Sequence, residues 1–93
     1  NVSVYLSNGL RDVPRALTFN CIVSNLPGKV GRELLHAFII DSYARLKPGG
    51  QLCVVTINGI REFIKKEFEV VFGNYEKVKQ GRRYTVARAL KQE

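Results

Sequence analysis

Residues 22–31 read IVSNLPGKVG, and the way this stretch changes character sets the architecture. The apolar run Cys21-Ile22-Val23 stops at the polar pair Ser24-Asn25, and Leu26, Pro27 and Gly28 follow. Leu26 precedes a proline and is pushed out of the helical region. From Arg32 onward apolar residues recur at Leu34, Leu35, Phe38, Ile39, Ser42/Tyr43 and Leu46. Steps of three and four make one stripe of an amphipathic helix. Lys47-Pro48-Gly49-Gly50 ends that helix with a cation in its last turn and Pro/Gly beyond. Gln51 to Ile57 is then a buried strand. A strand, a crossover helix and a second strand imply parallel pairing with a right-handed connection.

Working outward, Val2 to Leu6 is a short β-rich run closed by Ser7-Asn8-Gly9, residues with turn chemistry. Residues 10–17 form a loop that holds Pro14. Phe19 to Val23 reads as an almost continuous apolar run, which suits a strand covered on both faces. Beyond Ile57, Asn58-Gly59 is a turn or a helix cap. Ile60, Phe63, Ile64, Phe68, Val71 and Phe72 make a second helical stripe, and Gly73 ends it. Tyr75 to Lys79 and Arg83 to Ala89 are two strands joined by the turn Gln80-Gly81-Arg82. In the last strand Tyr84 and Val86 alternate with Thr85, Ala87 and Ala89, the period of a β-strand. The expected fold is α/β: a mostly parallel, Rossmann-like sheet with a C-terminal antiparallel hairpin. At 93 residues it forms one small domain, 1–93, burying somewhat more than ~60% of its unfolded surface.

Composition excludes several classes. With 45% apolar and 25% charged residues, the chain matches an ordinary globular domain and not a disordered one. No apolar run approaches the ~18 residues of a membrane span. The start has no basic head before an apolar stretch, so no signal peptide is expected. There is no Met anywhere, and a longer parent protein is expected. Cys21 and Cys53 lie in apolar runs and read as buried, reduced thiols, which points to the cytoplasm. With a single His and no Cys pair at ligand spacing, no metal site is expected. His36 reads as a helix-surface or packing residue, Glu33 and Asp41 as solvated helix residues, and Tyr43 and Tyr84 as core. The net charge of +7 thickens late, at Arg61, Lys65, Lys66, Lys77, Lys79, Arg82, Arg83, Arg88 and Lys91. Such an excess suits a polyanionic partner, nucleic acid foremost, or a solvated surface.

Ligands of open α/β sheets sit at the carboxyl ends of the strands. Asn25 stands at such an end, and Asn8 stands at the equivalent place after the first strand. Their amides can donate and accept hydrogen bonds and would line one crevice. Asn is also common wherever strands end, and pattern alone leaves both readings open.

Three stretches together are more specific: FNCIVSNLPG (19–28), LLHAFIIDSYARLKPGGQLCVVTI (34–57) and FGNYEKVKQGRRYTVARALK (72–91). Their order and spacing resemble the C-terminal half of a class I S-adenosylmethionine-dependent methyltransferase, above all the small-subunit ribosomal RNA guanine-N2 methyltransferases and their small archaeal relatives. The resemblance implies transfer of a methyl group to an exocyclic base amine in RNA, with S-adenosylmethionine as cofactor. It makes Asn25 the residue that orients the amine, by positioning, and Pro27 the family's second proline. Asn25, Leu26, Gly28 and Lys29 become the substrate-binding stretch, and Asn8 lies beside the cofactor's adenine.

The chain departs from that family pattern. Leu26 stands where the family has its first Pro, and Gly28 where it has the stacking aromatic. No G-x-G-x-G turn follows a strand, and the acidic residue that binds the cofactor ribose is missing as well. The resemblance thus implies a partial domain without the N-terminal cofactor-binding half, inactive by itself. Its alternative is a non-catalytic half-domain that binds RNA or a partner chain through its basic face or open sheet edge. The strand carrying Cys21-Ile22-Val23 would pair with the missing half, so a bare apolar edge is expected there, with self-association or the missing half to cover it.

Overall fold

The computed structural model describes residues 2–5, 19–26 and 31–92. Among the described residues five strands form one sheet in the order β1-β2-β3-β5-β4. These are β1 (Val2–Tyr5), β2 (Phe19–Leu26), β3 (Leu46–Ile57), β4 (Glu76–Gln80) and β5 (Tyr84–Leu90). Helix α1 (Arg32–Arg45) connects β2 to β3, and α2 (Arg61–Val71) connects β3 to β4. β1, β2 and β3 pair in parallel, and β5 runs antiparallel to both β3 and β4. β4 therefore runs parallel to β3, with β5 filling the slot between them. The expected α/β sheet with a closing hairpin is what the chain forms.

The parallel strands advance across the sheet in one direction, and both helices contribute to a single core with one face of it. That face carries Ile22, Ser24 and Leu26 from β2, Leu52, Val54 and Thr56 from β3, and Thr85, Ala87 and Ala89 from β5, all buried. Leu35, Phe38 and Ile39 of α1 and Ile64 and Phe68 of α2 close the layer. Phe68 is the largest fully buried side chain. Its ring lies 5.7 Å from Phe72 and 6.0 Å from Tyr75, both tilted. Small residues at positions 85, 87 and 89 leave room for these rings.

Several sequence expectations are corrected. β2 is buried on one face only, since its burial alternates. Cys21, Val23 and Asn25 point to the side that no described helix covers, and Val23 is 38% exposed. The edge of the Cys21–Val23 strand is not bare, because β1 pairs with it, Val2 opposite Ile22 and Tyr5 opposite Asn25. Among the described residues the outer edge on this side belongs to β1. Cys21 and Cys53 are free thiols but only half-buried, because both lie on the uncovered face. Tyr84 is half exposed for the same reason, while Tyr43 packs against the core beside Phe72. Leu34 falls outside the helical stripe and is exposed.

The end of α1 also differs from expectation. β3 begins at Leu46, so Lys47-Pro48-Gly49-Gly50 opens the strand and is not a loop. Gly49 has φ +85, the left-handed region that favours glycine. A Cβ on Gly50 would lie 2.9 Å from the Lys47 carbonyl and 3.0 Å from that of Asn20, so only glycine lets β2 and β3 approach here. Lys91 closes the same corner from β5: its Nζ donates to the carbonyls of Tyr43 and Leu46, each at 2.9 Å, and rests 4.6 Å from the Tyr43 ring centre. A cation on the last carbonyls of a helix is favourable. Arg45 and Asp41 form an ion pair one turn apart on α1, so Asp41 is not simply solvated.

Candidate functional site

The parallel strands end together along one edge of the sheet. The register places Leu26 of β2 beside Thr56 of β3, Thr56 beside Thr85 of β5, and Thr85 beside Gln80 of β4. This row marks the carboxyl edge. Asn25 sits one residue back, between Tyr5 and Val55, and it is exposed while its neighbours Ser24 and Leu26 are buried. The alternation of the strand produces this: the two neighbours enter the core and the amide is left on the open side. Leu26 is a core residue, 1% exposed, so only its backbone is presented at the edge. Asn8, Pro27, Gly28 and Lys29 lie outside the described residues.

Asn58 follows β3 at the same edge. It does not cap α2, which has no side-chain cap; it enters a short 3-10 turn, Asn58–Ile60, instead. Its Nδ2 donates to the carbonyls of Gly81 and Arg82, at 3.1 and 3.0 Å. Its Oδ1 accepts from the Thr85 hydroxyl, and its backbone N–H donates to the Arg83 carbonyl at 2.8 Å. Asn58 thus fastens the β4–β5 turn to the end of β3. Asn74 does the same at the other end of the hairpin: Leu90 N–H donates to its Oδ1, and its Nδ2 donates to the Leu90 carbonyl. Sequence reasoning missed both roles. The signal was an Asn at each junction between elements, where its amide can replace a backbone partner.

The basic residues fall into two groups. Lys91 is committed to α1, as above. Arg88 donates through Nε and Nη2 to Glu76 across the hairpin, a bond that holds its guanidinium above the ordinary range. Arg32 lies over the Phe63 ring at 5.3 Å. Arg61, Lys65 and Lys77 instead share a groove between α2 and β4 with Glu62, Tyr75 and Gln80. His36 is exposed and contacts Glu67 through Nδ1, a link between α1 and α2. This gives His36 a packing role. Among the described residues no cluster of His, Cys, Asp and Glu could hold a metal ion, and no helix is long and apolar enough to cross a membrane.

For S-adenosylmethionine the described residues do not make a complete site. No glycine-rich turn joins a described strand to a helix, and no carboxylate stands at the end of β2 or β3. Among the described residues the parallel strands β1, β2, β3 and β4 also keep chain order across the sheet, with only the antiparallel β5 inserted before β4, whereas ligands of open α/β sheets bind where the order of the parallel strands reverses.

Comparison with known proteins places this arrangement. The chain is 31% identical over 93 residues to the uncharacterized protein YbxB of Bacillus subtilis (strain 168), covering 98% of this chain and 46% of that protein. It therefore spans about half the length of the curated relative it matches. Among solved structures it resembles a methyltransferase from Pyrococcus furiosus, with TM-score 0.63 and 24% identity over 83% of this chain and 43% of that one. It also resembles the 16S rRNA N2 methyltransferase RsmC of T. thermophilus, solved with AdoMet and guanosine, with TM-score 0.65 and 21% identity over 82% of this chain and 21% of that one. TrmN from Thermus thermophilus matches with TM-score 0.55 and 20% identity over 94% and 26%. These likenesses show a shared Rossmann-like methyltransferase fold. The family model of the methyltransferase small domain matches residues 1–88, nearly the whole chain, and with the sheet order and hairpin described above this identifies the chain as a member of the methyltransferase small domain family.

Proposed function

We propose that this chain is the substrate-orienting part of an S-adenosylmethionine-dependent methyltransferase that acts on an exocyclic base amine in RNA, such as guanine N2. The observation that carries this reading is Asn25: a free amide, exposed at the carboxyl end of a parallel strand whose flanking residues are buried. Family membership supplies the chemistry, and the T. thermophilus structure with guanosine supports the choice of base. When bound, S-adenosylmethionine supplies the methyl group. The Asn25 amide oxygen accepts an N–H of the amine and fixes the direction of its lone pair, which is catalysis by orientation. The base must leave its stack or come from a single strand to reach this edge. Pro27 would hold the backbone beside Asn25, with Leu26, Gly28 and Lys29 completing the substrate side and Asn8 facing the cofactor.

Under this reading the cofactor cradle belongs to the rest of a longer protein. The same remainder covers the open sheet face of Cys21, Val23, Cys53, Val55 and Val86, because parallel sheets are covered on both sides. A second reading, a non-catalytic half-domain that binds RNA or a partner chain, is favoured by the incomplete cofactor site. The experiment that separates them is transfer of labelled methyl groups from S-adenosylmethionine to small ribosomal subunits by the full-length product of the gene. Asn25→Ala should lower transfer about 100-fold and leave the melting temperature unchanged, since the side chain is exposed. Equal transfer by the variant removes Asn25 from the chemistry, and no transfer by the native protein favours the half-domain.

A further inference from the structure

We propose that the groove between α2 and β4 is a phosphate-binding subsite for a single-stranded RNA whose target base lies at Asn25. The proposal rests on the RNA reading above and adds a second, separate point of contact. The groove has a volume of about 320 Å³ and is lined by Arg61, Glu62, Lys65, Tyr75, Lys77 and Gln80. Arg61 and Lys65 stand one turn apart on α2, and Lys77 reaches in from β4, where its Nζ donates to Gln80 Oε1 at 2.9 Å. Glu62 is the one carboxylate in the lining and lies 3.8 Å from Arg61, so three cations face a single acid. Burial, with the nearby Glu62 second, raises the Tyr75 hydroxyl above its ordinary value, which keeps it protonated. Guanidinium, two ammonium groups, a phenol and an amide make a lining rich in donors, which suits the oxyanions of a phosphodiester.

Position distinguishes this groove from the rest of the basic surface. Gln80 lies in the same rung of the sheet as Leu26, with Thr85 and Thr56 between them. Three strand spacings separate the two, about 15 Å along the carboxyl edge. Asn25 faces the open side of the sheet while Lys77 and Gln80 share the helix side with buried Ala87 and Thr85, so a strand with one base at Asn25 must turn over the carboxyl edge to set its flanking phosphates in the groove. Lys91 and Arg88 are already engaged within the fold and are poorer candidates. Lys47 is exposed at the opposite edge, at the start of β3.

The test is fluorescence anisotropy of a fluorescein-labelled single-stranded RNA 12-mer with the chain, across a salt series. The native chain is compared with Lys65→Gln/Lys77→Gln and with Lys47→Gln. Loss of two phosphate contacts should weaken binding at least tenfold and make the slope of log K against log salt shallower by about 1.4. Lys47→Gln should change affinity less than twofold. Inorganic phosphate at the same phosphate concentration should not displace the RNA. An unchanged double variant, an equal loss in Lys47→Gln, no binding by the native chain, or full displacement by inorganic phosphate each overturns the proposal, the last by making the groove a small-anion site. Melting curves confirm that all variants are folded. If the double variant binds RNA normally while Asn25→Ala loses methyl transfer, the groove fails and the methyltransferase reading stands. The opposite pair of results keeps the groove and rejects the role of Asn25.

Discussion

The buried hydroxyl of Thr85 donates a 2.6 Å hydrogen bond to Oδ1 of Asn58, joining the first turn after β3 to the second residue of β5. Asn58 also holds two carbonyls of the β4–β5 turn, so one side chain sets the position of the hairpin against the carboxyl edge. Asn58→Ala removes three side-chain bonds and should lower stability by about 2 kcal/mol, and Thr85→Val by about 1 kcal/mol. Urea denaturation checks both. Because the two residues share a bond, the losses should be less than additive in the double variant.

Gly50 lies where β3 packs tightly against both its own Lys47 carbonyl and the Asn20 carbonyl of β2. Both of the nearest contacts to an added Cβ are backbone carbonyls, which cannot swing aside as a side chain can. Gly50→Ala should therefore destabilise by about 1–3 kcal/mol, read as a drop in the urea midpoint.

Ser24 and Ser42 have buried hydroxyls without a hydrogen-bond partner. An unpaired buried polar group is unfavourable. Ser42→Ala should be neutral or raise stability by up to about 1 kcal/mol, against the usual direction for a buried substitution. A clear fall in the melting temperature contradicts this account of Ser42.

Burial raises the Cys53 thiol above its ordinary value, and the neighbouring Cys21 adds to the effect. A raised value means less thiolate at any given pH, and the thiolate is the reactive form. Cys53 should alkylate with iodoacetamide at pH 8 more slowly in the folded chain than in urea, as measured by peptide mass spectrometry over time.

The open sheet face bears on association. Val23 is exposed there, beside half-buried Cys53, Val55 and Val86. If the rest of a longer protein covers this face, the 93-residue chain studied alone should self-associate through it. Val23→Lys should then shift the chain to a monomer in light scattering after size exclusion. A native chain that is monomeric at all concentrations contradicts the need for a cover.

The helices and strands were legible in the sequence because each carries its own period: threes and fours for α1 and α2, alternation at positions 84–89. What sequence alone obscured were relations across the sheet. The apolar run Phe19–Val23 looked covered on both sides, yet a run of apolar side chains cannot say which elements exist to cover it. Pro48-Gly49-Gly50 looked like a loop, and it takes the left-handed φ of Gly49 and the carbonyls of Lys47 and Asn20 against Gly50 to explain why glycines open a strand. At the site, Asn25 was readable from its place after an apolar run. Asn58 and Asn74 were not, because the partners that make them fasten the hairpin lie more than fifteen positions away. The groove escaped notice since its cations come from two elements that the sequence separates.

β4 is the outer strand on the hairpin side, five residues long, exposed throughout, with lysines at 77 and 79 and an irregular register between them. Short length, charge and irregularity all discourage pairing with another strand. β1 pairs with β2 on its inner side. Among the described residues the sheet is thus polarised for growth: pairing is discouraged at the β4 end, and an added strand is more readily laid down beyond β1. A domain built this way favours extension at one end, which biases its orientation in a larger β-sheet before any partner arrives.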